Sequence, residues 1–195
     1  MKNQLFCQIA ILGLGLGLST GALAQAPSAA GTPAVHAGPA KASKPDKAAN
    51  SVSHGDQSWV ISAYKGGAEE VRLGQLASSK GNSPAVKEFG QQMVTDHSKG
   101  NAELKALADK KGIKLTTKDS QADADFKKLN ALSGAQFDKQ YVEMMVKGHK
   151  STVAAFKKEA EKGGDPNIKA WAAKVLPTIN QHLAMIEKDQ SAIGK

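Results

Sequence analysis

Thiol chemistry is nearly absent from this chain of 195 residues, whose one cysteine is Cys7. Cys7 lies in an N-terminal segment that reads as a removable leader, so the mature chain is expected to hold no thiol. It can form no disulfide, and cysteine nucleophiles and cysteine-based metal motifs are excluded. Aromatic residues make up 5% of the sequence, too few to interleave with basic residues as nucleic-acid binding requires, and nucleic acid is not expected as a partner. No segment alternates apolar and polar residues with period two, so no strand is predicted. After the leader no apolar run is long enough to span a membrane. No Ser-His-Asp arrangement and no glycine-rich phosphate loop stands out.

The leader occupies residues 1–24. Lys2 supplies its positive start, Leu5 to Leu18 its apolar run, and Ala22, Leu23 and Ala24 a small-residue cleavage site before Gln25. This order predicts a cleaved secretory signal peptide and a periplasmic protein. Residues 25–55 are rich in Ala, Pro, Ser, Gly and Lys, with Pro27, Pro33, Pro39 and Pro45. They have little to bury, so a disordered tether is expected, with His36 and His54 as exposed passengers. Residues 56–195 then form one domain of roughly 140 residues, enough to be held by its own core. The formal net charge is +8; without Lys2 it is +7, and without Lys41, Lys44, Lys47 and Asp46 of the tether it is +5. This balance describes a solvated basic surface, or one attracted to an anionic envelope surface.

Four long helices and a short connector are predicted. The first covers 56–80, with an apolar seam of Trp59, Ala63, Gly66, Glu70, Leu73 and Ala77. The second opens at Ser83 and Pro84 and ends at Gly112; its seam is Val86, Gly90, Met93, His97, Gly100, Leu104 and Leu107. A connector helix covers 119–132. Ser133 and Gln136 have capping-box spacing, and the third long helix runs to Lys162 through Val142, Met145, His149, Phe156 and Ala160. Asp165 and Pro166 start the fourth, with Ile168, Ala172, Val175, Ile179, His182 and Ile186 on its seam. An all-α antiparallel four-helix bundle follows.

Each long helix thus places one polar residue on its apolar seam: Glu70, His97, His149 and His182. At 1.5 Å per residue, Glu70 and His97 lie about 15 and 20 Å from the first hairpin turn, and His149 and His182 about 21 and 25 Å from the second. All four therefore fall near mid-height, whichever way the connector runs. Three imidazoles and a carboxylate there could hold one zinc, copper, iron or manganese ion, and a metal-free hydrogen-bonded Glu–His network would give the same pattern. Met93, Met145 and Met185 lie three or four residues from His97, His149 and His182. They are outer candidates that would favour copper, or else ordinary core fillers. Asp96 points to a neighbouring face and is given at most an outer role. Gly66, Gly90 and Gly100 on the seams imply close helix approach or a pocket, and Pro177 is expected to bend the fourth helix before His182.

The stretches Gly67 to Val71, Leu73 to Ala77, Val86 to Phe89, Met93 to His97 and Asn101 to Leu104 resemble a bacterial family of unknown function. So do Phe137, Asp138, Tyr141, His149, Leu176, Pro177, His182 and Leu183. Its members are exported, are often labelled outer-membrane proteins and are grouped with ferritin-like bundles. The resemblance covers about residues 56–188 and implies a ferritin-like fold and an envelope location, without an activity. The di-iron pattern of a Glu on two helices and Glu-x-x-His on two others is missing, since Val94, Val146 and Ile179 stand three residues before the histidines. Ferroxidase chemistry at a bridged centre is therefore not expected. The leading expectation is one bound transition metal ion at Glu70, His97, His149 and His182, serving metal handling or envelope stress protection. The alternative is a metal-free helical interaction module. A mononuclear enzyme would need an open coordination position and a pocket reaching solvent.

Overall fold

A computed structural model describes residues 52–193. The predicted leader with Cys7, His36 and nearly all of the tether lie outside the described residues. Five helices follow in order: α1 (His54–Lys80), α2 (Pro84–Lys110), α3 (Ser120–Asn130), α4 (Gly134–Lys162) and α5 (Pro166–Ile193). Among the described residues there is no strand, and no helix is long and apolar enough to cross a membrane.

Most helix starts follow from their caps. Ser83 accepts a hydrogen bond from the Val86 amide ahead of Pro84, Asp119 from the Gln121 and Ala122 amides, and Asp165 from the Asn167 and Ile168 amides. Each satisfies helix-start amides that have no partner within the helix. α1 begins at His54, ahead of the expected Asp56, because the Ser53 hydroxyl accepts from the Asp56 amide. The capping box expected at Ser133 and Gln136 does not form: Ser133 makes no side-chain cap bond. Gly134, the first residue of α4, has a φ of 57°, a left-handed entry that suits glycine.

The contacts define the topology. α1 and α2 form one antiparallel hairpin and α4 and α5 another, with α2 beside α5 and α1 beside α4. The link from α2 to α4 crosses the full length of the bundle. α3 runs along α1, pairing Asp123 with Arg72 and the Asn130 carbonyl oxygen with Lys80. α4 then starts at the end where α1 meets α2. One long crossover in an antiparallel bundle is the ferritin-like connection.

The two hairpins clamp each other by the same device. Asp56, at the start of α1, accepts from the Gly164 and Asp165 amides at 3.1 and 2.8 Å in the α4–α5 turn. Asp138, at the start of α4, accepts from the Asn82 and Ser83 amides at 2.8 and 2.7 Å in the α1–α2 turn. Both carboxylates are buried, and each supplies two charge-assisted bonds to turn amides of the other hairpin. Beside Asp56, the Glu159 carboxyl is raised above the usual carboxylate range by burial and by the charge of Asp56.

Two apolar blocks fill the bundle ends. One contains Leu73, Phe89, Met93, Phe137, Tyr141 and Ile186; the other contains Val60, Leu104, Ala108, Ile113 and Ile168. Full burial of each large side chain contributes about 1.5–3 kcal/mol. α1 meets α2 where Gly74 and Gly90 cross: a Cβ on Gly90 would lie 2.7 Å from the Gly74 carbonyl oxygen. The buried stripe of α1 is Val60, Gly67, Leu73, Gly74 and Ala77. The expected seam residues Trp59, Ala63 and Gly66 are half-buried and line an interior cavity instead of packing shut. On α5 the expected residues Ile168, Ala172, Ile179, His182 and Ile186 are buried, and Val175 is half-buried and lines the same cavity.

Candidate metal centre

Between the apolar blocks, four helices bring Glu70, His97, His149 and His182 together at mid-height. His149 and His182 are buried outright; the side chains of His97 and Glu70 are each 13% exposed. The ring centroids of His97 and His182 are 5.3 Å apart, those of His149 and His182 5.7 Å, and those of His97 and His149 6.1 Å. One nitrogen from each of the three imidazoles lies within 4.8 Å of the others.

The hydrogen bonds set the tautomers. His149 Nδ1 is 2.9 Å from the Met145 carbonyl oxygen, which can only accept, so Nδ1 carries the proton. His97 Nδ1 lies 3.1 Å from Glu70 Oε2, a charge contact that favours the proton on Nδ1. His182 Nε2 is 2.8 Å from Asp96 Oδ2 and donates to that carboxylate. Glu70 Oε1 also lies 3.6 Å from His149 Nδ1, a charge contact beyond hydrogen-bond length. The other nitrogen of each ring, His97 Nε2, His149 Nε2 and His182 Nδ1, is buried with no hydrogen-bond partner. Each of these three nitrogens carries a lone pair. Buried acceptors without partners are costly, and three such nitrogens, one on each ring of a close cluster, are candidate ligands for an acceptor of electrons.

The electrostatics keep those lone pairs free. Burial drives His97 down to about 4, against an opposing pull from Asp96. Burial also lowers His149 and His182, outweighing their carboxylate neighbours Glu70 and Asp96. All three imidazoles are therefore neutral at pH 7. Burial raises Glu70, opposed by the charge of His149. Asp96 is only partly buried; burial raises it, but hydrogen bonds from Gln92 and His182 outweigh that and hold it low. An imidazole backed by a carboxylate is the arrangement that fixes tautomer and raises ligand basicity at metal sites.

Glu70 thus meets imidazole N–H groups on the side of the rings away from the free nitrogens. Asp96 takes a larger part than its sequence position suggested: one step from His97 on α2 it faces α5 and reaches His182. Phe89 closes one side of the cluster, its ring 6.0 Å from His149 and 6.4 Å from His182. Tyr141 is buried with an unpartnered hydroxyl, raised further above its ordinary range by burial and by the charge of Glu70. Its sequence signal was its place two turns before His149 on one helix face. Met93 and Met145 are buried in the neighbouring apolar block, and Met185 packs against it.

On the other side a cavity of about 270 Å³ opens partly to solvent. Glu70, Asp96, His97 and His182 line its inner end, and Trp59, Phe156, Trp171 and Val175 its walls. Gly66 and Gly100 make room for it: an added Cβ at either would meet no atom within 4 Å.

The fold is shared with solved structures of low sequence identity. A crystal structure of a DUF305 fragment from Deinococcus radiodurans matches with a TM-score of 0.65 at 14% identity, over 73% of this chain and 99% of that one. CopM in its Cu(I)-bound form matches with a TM-score of 0.58 at 14% identity, over 70% of this chain and 96% of that one. CopM in its Cu(II)-bound form gives a TM-score of 0.58 at 13% identity over the same shares. No curated protein matches the sequence. With its bundle and its resemblance motifs in place, the chain is matched over residues 41–188 by a domain of unknown function, and it belongs to that family, DUF4142.

Proposed function

We propose that this protein binds one transition metal ion through His97 Nε2, His149 Nε2 and His182 Nδ1, and serves metal handling or envelope stress protection after export. The observation that carries this reading is the close cluster of three imidazoles, each with one buried nitrogen that has no hydrogen-bond partner. Metal–imidazole bonds of about 2 Å need ligand nitrogens only a few ångströms apart, and a cluster with one nitrogen of each ring within 4.8 Å of the others supports such a site after small side-chain adjustments. Glu70 and Asp96 act from behind the rings, fixing tautomers and offsetting the charge of the ion. Three neutral nitrogens suit zinc and copper, with iron and manganese weaker candidates for so nitrogen-rich a set. The copper-bound CopM structures, whose fold this chain shares, make copper the first ion to test.

The test is direct. Tag-free protein is titrated with Cu(I), Cu(II), Zn(II), Fe(II) and Mn(II), and binding is followed by elemental analysis and by the melting temperature. One ion per chain, with a rise in melting temperature that His149→Gln and His182→Gln abolish, is the expected result. A thousandfold excess of free ion over Kd stabilises by about 4 kcal/mol, a readily measured shift. No bound ion and no shift with any of the five would sink the proposal.

A further inference from the structure

The cavity beside the histidines gives the site a second half. It lies inside the bundle, with walls from all four long helices, and it adjoins two of the three imidazoles, His97 and His182. Its far wall is aromatic: Trp59 and Phe156 meet edge to face at 4.9 Å between centroids, and Trp171 lies 5.8 Å from Phe156 and 6.1 Å from Trp59. At this size it holds a small molecule rather than a drug-sized one.

Its charge pattern restricts the occupant. Among the described residues no lysine or arginine lines the cavity, while the Glu70 and Asp96 side chains do. A divalent ion held by three neutral imidazoles would already be balanced by those two carboxylates. An anionic ligand would add a third negative charge beyond that balance, with no lysine or arginine to offset it. A flat aromatic body suits the Trp and Phe wall, and an uncharged nitrogen donor suits a metal that already accepts imidazole. Three protein ligands leave a fourth position for it.

We infer that this cavity admits a small, uncharged heteroaromatic molecule whose ring nitrogen completes the coordination of the metal ion while its apolar body rests against Trp59, Phe156 and Trp171. This rests on the metal reading above and extends it from ion binding to ligand recognition at the ion. Gly66 and Gly100 are then the residues that keep the space open, one on each helix of the first hairpin.

The experiment uses Co(II)-loaded protein, whose visible absorption reports coordination, with tryptophan emission as a second signal from the cavity wall. Imidazole, 4-phenylimidazole and phenylacetate are titrated in turn. The expected result is a change in the Co(II) spectrum and in tryptophan emission with 4-phenylimidazole, at an affinity about tenfold or more above that of imidazole, because the phenyl ring is buried. Phenylacetate should bind more weakly than 4-phenylimidazole. Gly100→Leu, which fills the cavity from a position that carries no ligand atom, should keep Co(II) and lose at least about tenfold in 4-phenylimidazole affinity. If that variant fails to fold, Gly66→Leu fills the same space from α1. Equal affinities for imidazole and 4-phenylimidazole, tighter binding of phenylacetate, or undiminished binding to metal-free protein would each overturn the inference while leaving the metal site standing. Protein that takes up one of the five ions above but not Co(II) is titrated in that form with tryptophan emission as the readout, and the same outcomes decide; protein that takes up no ion overturns both readings, and this is seen before any organic ligand is added.

Discussion

Glu70→Gln separates a carboxylate that serves the imidazoles from one that binds the ion or merely packs. In the metal-free protein the Glu70 charge is costly, since burial raises its carboxyl against the opposing pull of His149; its nearest imidazole N–H is on His97 Nδ1 at 3.1 Å. Gln keeps the shape and can present its carbonyl oxygen to that N–H. The amide NH₂ then faces His149, whose Nδ1 proton already has the Met145 carbonyl. Relief of a buried charge offsets a weaker hydrogen bond, so metal-free stability should move by no more than about 1 kcal/mol. The metal-loaded protein responds differently. Removing the charge behind His97 and His149 lowers their basicity and uncovers the charge of the ion. Loss of a carboxylate that backs a ligand histidine costs about 10–100-fold in metal affinity, or roughly 1.4–2.8 kcal/mol. The assay is competition against a chromophoric chelator for Zn(II) and Co(II), paired with urea denaturation of the metal-free protein. Wild-type affinity within twofold, or a metal-free loss above about 3 kcal/mol, would refute the reasoning.

Metal-free stability should fall on acidification. His97 titrates near 4 in the folded chain against an ordinary 6.5, so the unfolded chain binds the extra proton between those values. The stability tied to neutral His97 is full above pH 6.5 and is lost as pH falls through about 4, an upper limit of about 3 kcal/mol. Glu70 and Glu159, both raised, gain stability on acidification and trim that loss, and a flat urea midpoint between pH 7.5 and 4 would contradict the balance struck here. Asp138→Ala removes two charge-assisted bonds to the Asn82 and Ser83 amides and should cost about 3 kcal/mol in urea unfolding, with an unchanged m-value. Gly90→Ala places a Cβ 2.7 Å from the Gly74 carbonyl oxygen and 2.8 Å from the Ser78 amide nitrogen, so it should destabilise by about 1–3 kcal/mol. Gly100→Ala meets nothing within 4 Å and should stabilise by about 1 kcal/mol through helix propensity; equal melting temperatures for the two glycine variants would contradict the packing described.

The bundle was legible because its signals are local. Ser83 with Pro84 and Asp165 with Pro166 announce helix starts from two residues each, and the Ile and Ala contrast along α5 makes its inward face readable from Ile168 to Ile186. α1 offered less: with Ala, Gly and Ser on several faces, periodicity gives the inward face but not that Trp59, Ala63 and Gly66 line a cavity while Val60 packs shut. The Ser133 capping box looked local too, yet Ser133 makes no side-chain cap bond. The reciprocal clamp of Asp56 and Asp138 could not be read at all. Each carboxylate serves amides more than 50 positions away in sequence, and no spacing rule reaches across two hairpins.

The site divides along the same line. Sequence gives a residue's height on a helix, because rise per residue is constant, and so the level of Glu70, His97, His149 and His182 was predictable. It does not give which ring nitrogen faces the axis, because that depends on which acceptor the other nitrogen finds on a different helix. Counting seam residues therefore put Glu70 among the ligands and left Asp96 at the margin. Atomic geometry places Asp96 on the His182 N–H and Glu70 beside Nδ1 of His97 and of His149, and leaves three nitrogens without partners. Charge makes this distribution reasonable. A divalent ion held by neutral imidazoles alone would be a buried double charge, and one inward carboxylate would neutralise half of it. Glu70 and Asp96 together balance it, and neither has to give up its imidazole to do so.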